Sequence, residues 1–148
     1  MIQQRAVSLQ DAPALAALHA RCFGDEAWSQ EQIEGSLRLP TTKGIAIWEK
    51  EDFPIAMVLL QCVGDEIEIL TLGVEPSLRR LGLARHLMKL EVFRIATGPV
   101  FLEVAADNEA ACALYEFCGF ELIGRRAGYY ARPGGAVDAL NYRFMVKS

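Results

Sequence analysis

The segment Arg79-Arg80-Leu81-Gly82-Leu83-Ala84-Arg85-His86-Leu87 sets three arginines and a flexible glycine between a strand-like run, "EIEILTLGV", and a helix-like one, "HLMKLEVFRIA". A loop at a strand's C-terminal end that opens a helix is a natural anion site. Backbone N–H groups there lack partners, and the helix dipole favours negative charge. Gly82 and the small Ala84 let a phosphate approach the backbone, and Arg79, Arg80 and Arg85 can add charge-assisted hydrogen bonds at the rim. The alternative is a basic surface turn with solvated arginines, and this segment alone does not separate the two. Common nucleotide loops are absent: there is no G-x-x-x-x-G-K-[ST], and no G-x-G-x-x-G with an acid about 20 residues on. Two titratable groups further along stand out. Glu103 lies mid-way in "VFLEVA", where a carboxylate without a partner would be costly to bury, so an ion pair with an arginine such as Arg125 is its structural reading. Tyr115 shares a helix face with Ala111, Leu114 and Cys118, which reads as a core tyrosine whose hydroxyl finds a backbone partner.

These residues must be carried by alternating elements. Residues 2–7 read as a first strand. "SLQD" (8–11) has capping-box spacing and opens an alanine-rich helix to about Cys22, and "SQEQ" (29–32) opens a second helix to about Leu39, where Pro40 breaks it. "GIAIWEK" and "PIAMVLLQCV" flank a turn at Glu51-Asp52 and read as a hairpin, continued by "EIEILTLGV" with one half-exposed face. A helix follows over about 81–96, then the buried-looking strand "PVFLEVA". A helix over about 107–118 ends at Gly119, with Phe120 as the apolar residue of a Schellman-type stop. "FELIGRR" and "DALNYRFMV" are two closing strands around a polar, glycine-containing loop. The order predicts a mixed sheet with parallel strands in its second half.

Composition excludes several classes. A chain of 148 residues, 52% apolar and 23% charged, reads as one globular domain over residues 1–148. No apolar run reaches the ~20 residues of a membrane span, and "MIQQRAVSLQD" lacks a signal-peptide core. Cys22, Cys62, Cys112 and Cys118 form no C-x-x-C pair and have no histidine neighbours, so reduced thiols in cytoplasm are expected, with neither a metal site nor a disulfide framework. The net charge of −4 gives no support for nucleic-acid binding, and a polyanion would have to be met by a local cluster.

The R-x-x-G-x-A run at residues 79–84 resembles the acetyl-CoA pyrophosphate loop of the GCN5-related N-acetyltransferase (GNAT) superfamily. About 25 residues on, "LEVAADNEAACALYEFCGF" resembles its second signature, N-x-x-A-x-x-L-Y-x-x-x-G-F. "RCFGDEAWSQEQIEGSL" and "RRAGYYARPGGAVDAL" further resemble the F…W-S-x-E…L and R-R-x-Y-Y…G-x-x-D-A segments of the RimI-type ribosomal-protein-alanine N-acetyltransferases, so the likeness covers nearly the whole chain. It implies a GNAT fold, α/β (α+β), with a mixed central sheet of about seven strands and about four flanking helices.

The resemblance also implies roles. The thioester cosubstrate is acetyl-CoA, and no metal takes part. Leu72, Gly73 and Val74 match a bulged strand whose backbone binds pantetheine and the thioester oxygen. Arg79, Arg80, Leu81, Gly82, Leu83, Ala84 and Arg85 match the phosphate loop, and Asn108 a cofactor contact that is compatible with a helix cap. Gly73 fits either a bulge or a close backbone approach. Glu103 matches the general base that neutralises the acceptor amine, and Tyr115 the group that protonates the departing thiolate. Tyr129 and Tyr130 match a pair that holds the acceptor peptide, with Phe23 and Trp28 as the opposite wall.

Departures from the RimI pattern cluster on the acceptor side. One residue is added before Tyr129, Ala131 and Val137 replace a common proline and a common acid, and Gly24-Asp25 follows Phe23 where a proline is usual. Three functions are therefore weighed: N-terminal acetylation of a ribosomal protein at alanine or a similar small residue, acetylation of small amines or lysine side chains, and acyl-CoA sensing without catalysis. Retention of both Glu103 and Tyr115 argues against the last.

Overall fold

The computed structural model describes residues 2–146, apart from the side chain of Leu90. Strand β1 (Gln3–Ala6) is followed by one 3-10 turn and helix α1 (Ala12–Phe23). The turn is held where Ser8 donates its N–H to Asp11 Oδ2 at 2.8 Å. Helix α2 (Gln30–Leu37) starts at a complete capping box: Gln32 N–H reaches Ser29 Oγ at 3.1 Å, and Ser29 N–H reaches Gln32 Oε1 at 2.8 Å. It ends before the expected Leu39.

Strands β2 (Thr42–Lys50), β3 (Phe53–Val63) and β4 (Glu66–Val74) form an antiparallel meander. Helix α3 begins as Leu83–Leu87, passes through a π turn, Met88–Val92, and closes as Phe93–Ile95. The π turn has no signal in the helical periodicity of this stretch. Strand β5 (Val100–Ala105), helix α4 (Glu109–Phe117), and strands β6 (Glu121–Tyr130) and β7 (Val137–Phe144) complete the described chain. The α4 stop has the expected Schellman geometry. Phe120 N–H reaches Tyr115 O at 2.9 Å, Gly119 N–H reaches Glu116 O at 3.1 Å, and Gly119 takes φ of 99°.

The seven strands lie in the order β1-β2-β3-β4-β5-β7-β6. The expected mixed sheet has its parallel pair at β4 and β5, while β7 turns back from β6 and inserts between it and β5, antiparallel to both. A hairpin connection allows this insertion, and it leaves β6 as an exposed edge carrying both tyrosines of the pair. They lie in the strand, not in the loop that sequence suggested.

Helices α1 and α2 cover one face of the sheet over Leu15, Leu18, Ile33, Trp48, Met57 and Leu59. Helices α3 and α4 cover the other over Leu87, Met88, Val92, Leu102, Tyr115 and Tyr142. Strand β3 is buried on both faces, which accounts for its unbroken apolar run rather than an alternation. Among the described residues no helix is long and apolar enough to cross a membrane.

What positions the site is the short ladder between β4 and β5. It runs through Ile67↔Val100, Glu68↔Phe101 and Ile69↔Leu102 and stops there. Beyond it β4 stays paired to β3 as far as Ala56↔Val74, and β5 stays paired to β7 as far as Ala105↔Ala139. The sheet therefore splits into a gap walled by residues 70–74 and 103–105.

Gly98 sits at the closed end of this ladder, where Ile67 N–H reaches Pro99 O at 3.0 Å. A Cβ on Gly98 would lie 2.4 Å from the carbonyl oxygen of Asp65, a backbone atom that cannot rotate away. Gly98→Ala is expected to cost about 1–3 kcal/mol in urea unfolding, since the two loops must part. An unchanged unfolding midpoint would show that they yield freely.

Candidate active site

The gap opens because of an irregularity one turn of pleat earlier than expected. Register along β3 and β4 slips between Leu59 and Leu60, so that Leu59 faces Thr71 while Leu60 faces Ile69, and Leu70 is the extra residue. Residues Thr71, Leu72, Gly73 and Val74 are in regular register. The bulge read at Gly73 is thus corrected to Leu70, and Gly73 answers to the other reading, close approach. A Cβ there would lie 3.1 Å from Cys22 Sγ and 3.4 Å from the Phe23 ring of α1. At the bulge Leu70 packs into the core beneath α1, and Thr71 meets His19 of the same helix.

The loop after β4 forms the gap's outer end. Arg80 takes φ of 68° and Gly82 φ of 81°, both left-handed, which coils the chain tightly into α3. Gly82 caps α3 with no side chain, and nothing lies within 4 Å of where its Cβ would stand. His86 N–H makes the first helical bond, to Gly82 O at 2.9 Å, so the preceding helical N–H groups are left for a ligand. Leu83 and Ala84 pack onto the core, while Leu81 is 68% exposed. Arg79 Nε donates back to Val74 O at 3.3 Å, tying the loop to the strand end. Arg85 lies over the exposed Phe117 ring at 4.9 Å, with Lys89 beside it at 5.8 Å. The uncapped N–H groups, open space and local positive charge fit the pyrophosphate of a CoA thioester, and the unpaired edge of residues 70–74 fits the amides of its pantetheine arm.

Glu103 borders the gap, while Tyr115 is buried in the core beneath α4 against Phe120 and Tyr142. Glu103 is the first β5 residue beyond the parallel ladder, and its neighbours Leu102 and Val104 point into the α3–α4 core that contains Tyr115. Burial, with Cys112 and Cys118 nearby, raises the Tyr115 phenol above its ordinary pKa, so its hydroxyl keeps its proton. The ion-pair partner of Glu103 is Arg126, not Arg125: Arg126 Nε lies 3.1 Å from Glu103 Oε2. Its N–H is not directed at that oxygen, and Glu103 Oε2 is buried without a hydrogen bond among the described residues. A carboxylate held by charge but with a lone pair unused is suited to accept a proton. Arg125 is occupied by Asp138 at 2.9 Å.

The acceptor side is assembled by contacts that sequence reasoning did not name. Between the pairs Arg126↔Ala139 and Tyr130↔Val137, three residues of β6 stand against one of β7. The bulge absorbs the added residue before Tyr129. Asp138 holds it, accepting the Gly128 N–H at 3.0 Å and the Arg125 guanidinium, and these donors keep its carboxyl below the usual carboxylate range. The Tyr129 and Tyr130 rings meet edge to face at 5.0 Å. Arg132 lies 5.4 Å from the Tyr130 ring and binds two carboxylates: Asp107 at 2.7 Å, just before α4, and Glu26 at 3.0 Å, in the turn between Phe23 and Trp28. It therefore ties the end of β6 to the turn between Phe23 and Trp28 and to the start of α4. Asn108 spends its Oδ1 on the α4 cap, receiving Ala111 N–H at 3.2 Å.

Phe23 and Trp28 meet around His19, whose ring is 4.4 Å from the first and 5.4 Å from the second. His19 is only 2% exposed. Its place on the apolar face of α1, four residues before Phe23, was the available signal.

Residues 12–120 match the acetyltransferase (GNAT) family, and the chain belongs to it. It is an N-acetyltransferase whose cosubstrate is acetyl-CoA. It is 32% identical over 143 residues to the N-alpha-acetyltransferase RimI of Mycobacterium tuberculosis, covering 93% of this chain and 89% of the relative. It is 39% identical over 127 residues to the ribosomal protein bS18-alanine N-acetyltransferase of Escherichia coli, covering 82% and 80%. The crystal structure of the Escherichia coli ribosomal-protein-S18-alanine N-acetyltransferase superposes with a TM-score of 0.89 at 26% identity, over all of this chain and 96% of that one. Arabidopsis thaliana NAA60 in complex with acetyl-CoA shares the fold, with a TM-score of 0.84 at 21% identity over the full length of both chains. Among the described residues no group of three His, Cys, Asp or Glu side chains could hold a metal ion.

Burial pushes the His19 pKa down from 6.5 to about 4. Between those values the unfolded chain binds a proton that the folded chain does not, so this residue makes stability rise with pH across the window and adds no slope above it. The loss on acidification is on the order of 3 kcal/mol. Urea unfolding at pH 7.0, 5.5 and 4.5 should show His19→Gln losing less stability than wild type toward acid, and parallel curves would contradict this.

Proposed function

We propose that this chain, working as one domain over residues 1–148 in the cytoplasm, acetylates the N-terminal α-amino group of a ribosomal protein that begins with alanine or a similar small residue. The observation that carries the reading is the acceptor mouth: Tyr129 and Tyr130 drawn toward the turn between Phe23 and Trp28 by Arg132, beside the Glu103 carboxylate that Arg126 pairs by charge. The relatives named for this reaction match most of the chain and support the choice of acceptor.

In this reading the loop at residues 79–85 and Asn108 hold CoA, and the backbone of Leu72, Gly73 and Val74 lines its pantetheine arm. Acetyl-CoA supplies an activated acyl group as a thioester. An α-amino group with a pKa of ~7.7–8.0 arrives mostly protonated, and Glu103 takes its proton, directly or through water. The freed nitrogen bonds to the acyl carbon as the carbon–sulfur bond breaks, and the second proton it then sheds passes through water to restore the phenol once Tyr115 has protonated the sulfur. Tyr115 then gives its phenolic proton to the departing sulfur. Backbone N–H groups along residues 70–74 stabilise charge on the acyl oxygen.

Thiol release from acetyl-CoA, measured with hexapeptides beginning Ala, Ser, Met or Gly, with the same peptides N-blocked, and with polyamines, tests the acceptor. Activity on free Ala or Ser peptides, lost on blocking, is expected; activity confined to polyamines or blocked lysine peptides would move the acceptor to another amine class. Tyr115→Phe should lower kcat by about a hundredfold or more with CoA affinity unchanged, since it removes a proton donor and little else. Unaltered kcat would remove Tyr115 from that role. Gly82→Val, in contrast, should weaken CoA binding because the left-handed φ disfavours a β-branched residue and its side chain would take the open space left for the phosphate. Normal affinity in calorimetry would sink the phosphate-loop assignment.

A further inference from the structure

We propose that His19 is a positioning residue that couples the acceptor wall to the strand edge at the acyl site through its two ring nitrogens. The inference rests on the reading of Phe23 and Trp28 as the acceptor wall. Trp28 donates its backbone N–H to His19 Nδ1 at 3.0 Å, so Nδ1 carries no proton. The neutral ring then holds its hydrogen on Nε2, which donates to Thr71 Oγ1 at 2.8 Å. The hydroxyl proton of Thr71 is left free to point elsewhere.

Apart from the amphipathic Trp48, Tyr115 and Tyr142, His19 is the sole polar or charged side chain buried in the core among the described residues. Each of its polar atoms is used, and each partner lies at a different functional margin. Trp28 follows the turn that carries Glu26, and its ring and that of Phe23 pack on the imidazole. Thr71 stands next to the Leu70 bulge, on the stretch of β4 that has lost its β5 partner. An apolar residue would fill the same volume but would leave the Trp28 N–H and the Thr71 hydroxyl unmatched beneath α1. One imidazole thus sets both the height of the wall over the gap and the orientation of the strand edge within it.

Two substitutions separate the two halves of this role. His19→Asn keeps an acceptor where Nδ1 stands and loses the reach to Thr71. His19→Gln keeps a donor where Nε2 stands and loses the bond from Trp28. Steady-state kinetics with the best peptide acceptor should show His19→Gln raising acceptor KM about tenfold with kcat within twofold. His19→Asn and Thr71→Val should both lower kcat about tenfold, with acceptor KM within twofold. Equal changes in both parameters for both His19 variants, or losses that follow thermal midpoints alone, would overturn the proposal. Binding of acetyl-CoA by calorimetry needs no acceptor: His19→Asn and Thr71→Val should weaken it several-fold and His19→Gln should not. That pattern in a protein silent toward every peptide would fault the acceptor reading while leaving the Thr71 link standing, and equal affinities across all variants would remove the link.

Discussion

Everything at the site depends on the end of the parallel ladder at Ile69↔Leu102. A β-sheet resists such a split, because each strand leaves unpaired N–H and C=O groups along the opening. Here each wall is restrained from outside: β3 holds β4 through residue 74, and β7 holds β5 through residue 105. Zipping the gap closed would require one of those outer ladders to slip, and a one-residue slip would turn buried side chains to the wrong face. The gap is therefore a fixed feature of the sheet. Its unsatisfied backbone favours a ligand that carries amides in extended form, and pantetheine has that chemistry.

The two halves of the site are built by different physics. On the cofactor side, backbone conformation dominates: left-handed φ at Arg80 and Gly82, an uncapped helix start, and a side-chain-free position at Gly82. Arginines there are exposed and add charge to a geometry already set. On the acceptor side, side chains dominate. Asp138 pins the β6 bulge, Arg126 guards Glu103, and Arg132 joins Glu26 to Asp107. Exposed pairs of this kind each contribute only ~0–1 kcal/mol to folding. Their consequence is geometric, since they decide where Tyr129 and Tyr130 stand relative to the α1 terminus.

This difference governs what was legible in the sequence. Local backbone devices were readable because their causes lie within a few residues: the Ser29–Gln32 box, the Asn108 cap, and the Gly119–Phe120 stop. The phosphate-type loop and the Glu103 strand were found for the same reason. The bulge at Leu70 was not, because no residue near it in sequence marks it, and the neighbouring Thr71 meets His19 of α1, 52 positions earlier. The partner of Glu103 was missed by one residue, since the β6 bulge decides which arginine faces inward. The insertion of β7 beside β5 likewise depends on which edge of a hairpin reaches the sheet, and hydrophobic alternation is the same for both outcomes.

A buried imidazole in this setting is a costly choice on stability grounds. Its desolvation is offset only because both nitrogens are hydrogen-bonded, and the folded state then excludes the charged form. A leucine would bury more apolar area for less risk, yet it would leave the Phe23–Trp28 wall and the bulged strand to settle independently. Catalysis across a gap is sensitive to such drift, since a displacement of about 1 Å can cost a hundredfold in rate. Glu103 and Tyr115 lie on elements held by separate contacts, β5 by β7 and α4 by the core around Phe120 and Tyr142. The bulge at Leu70 and the contact that fixes Thr71 beside it therefore bear on the width of the gap between β4 and β5.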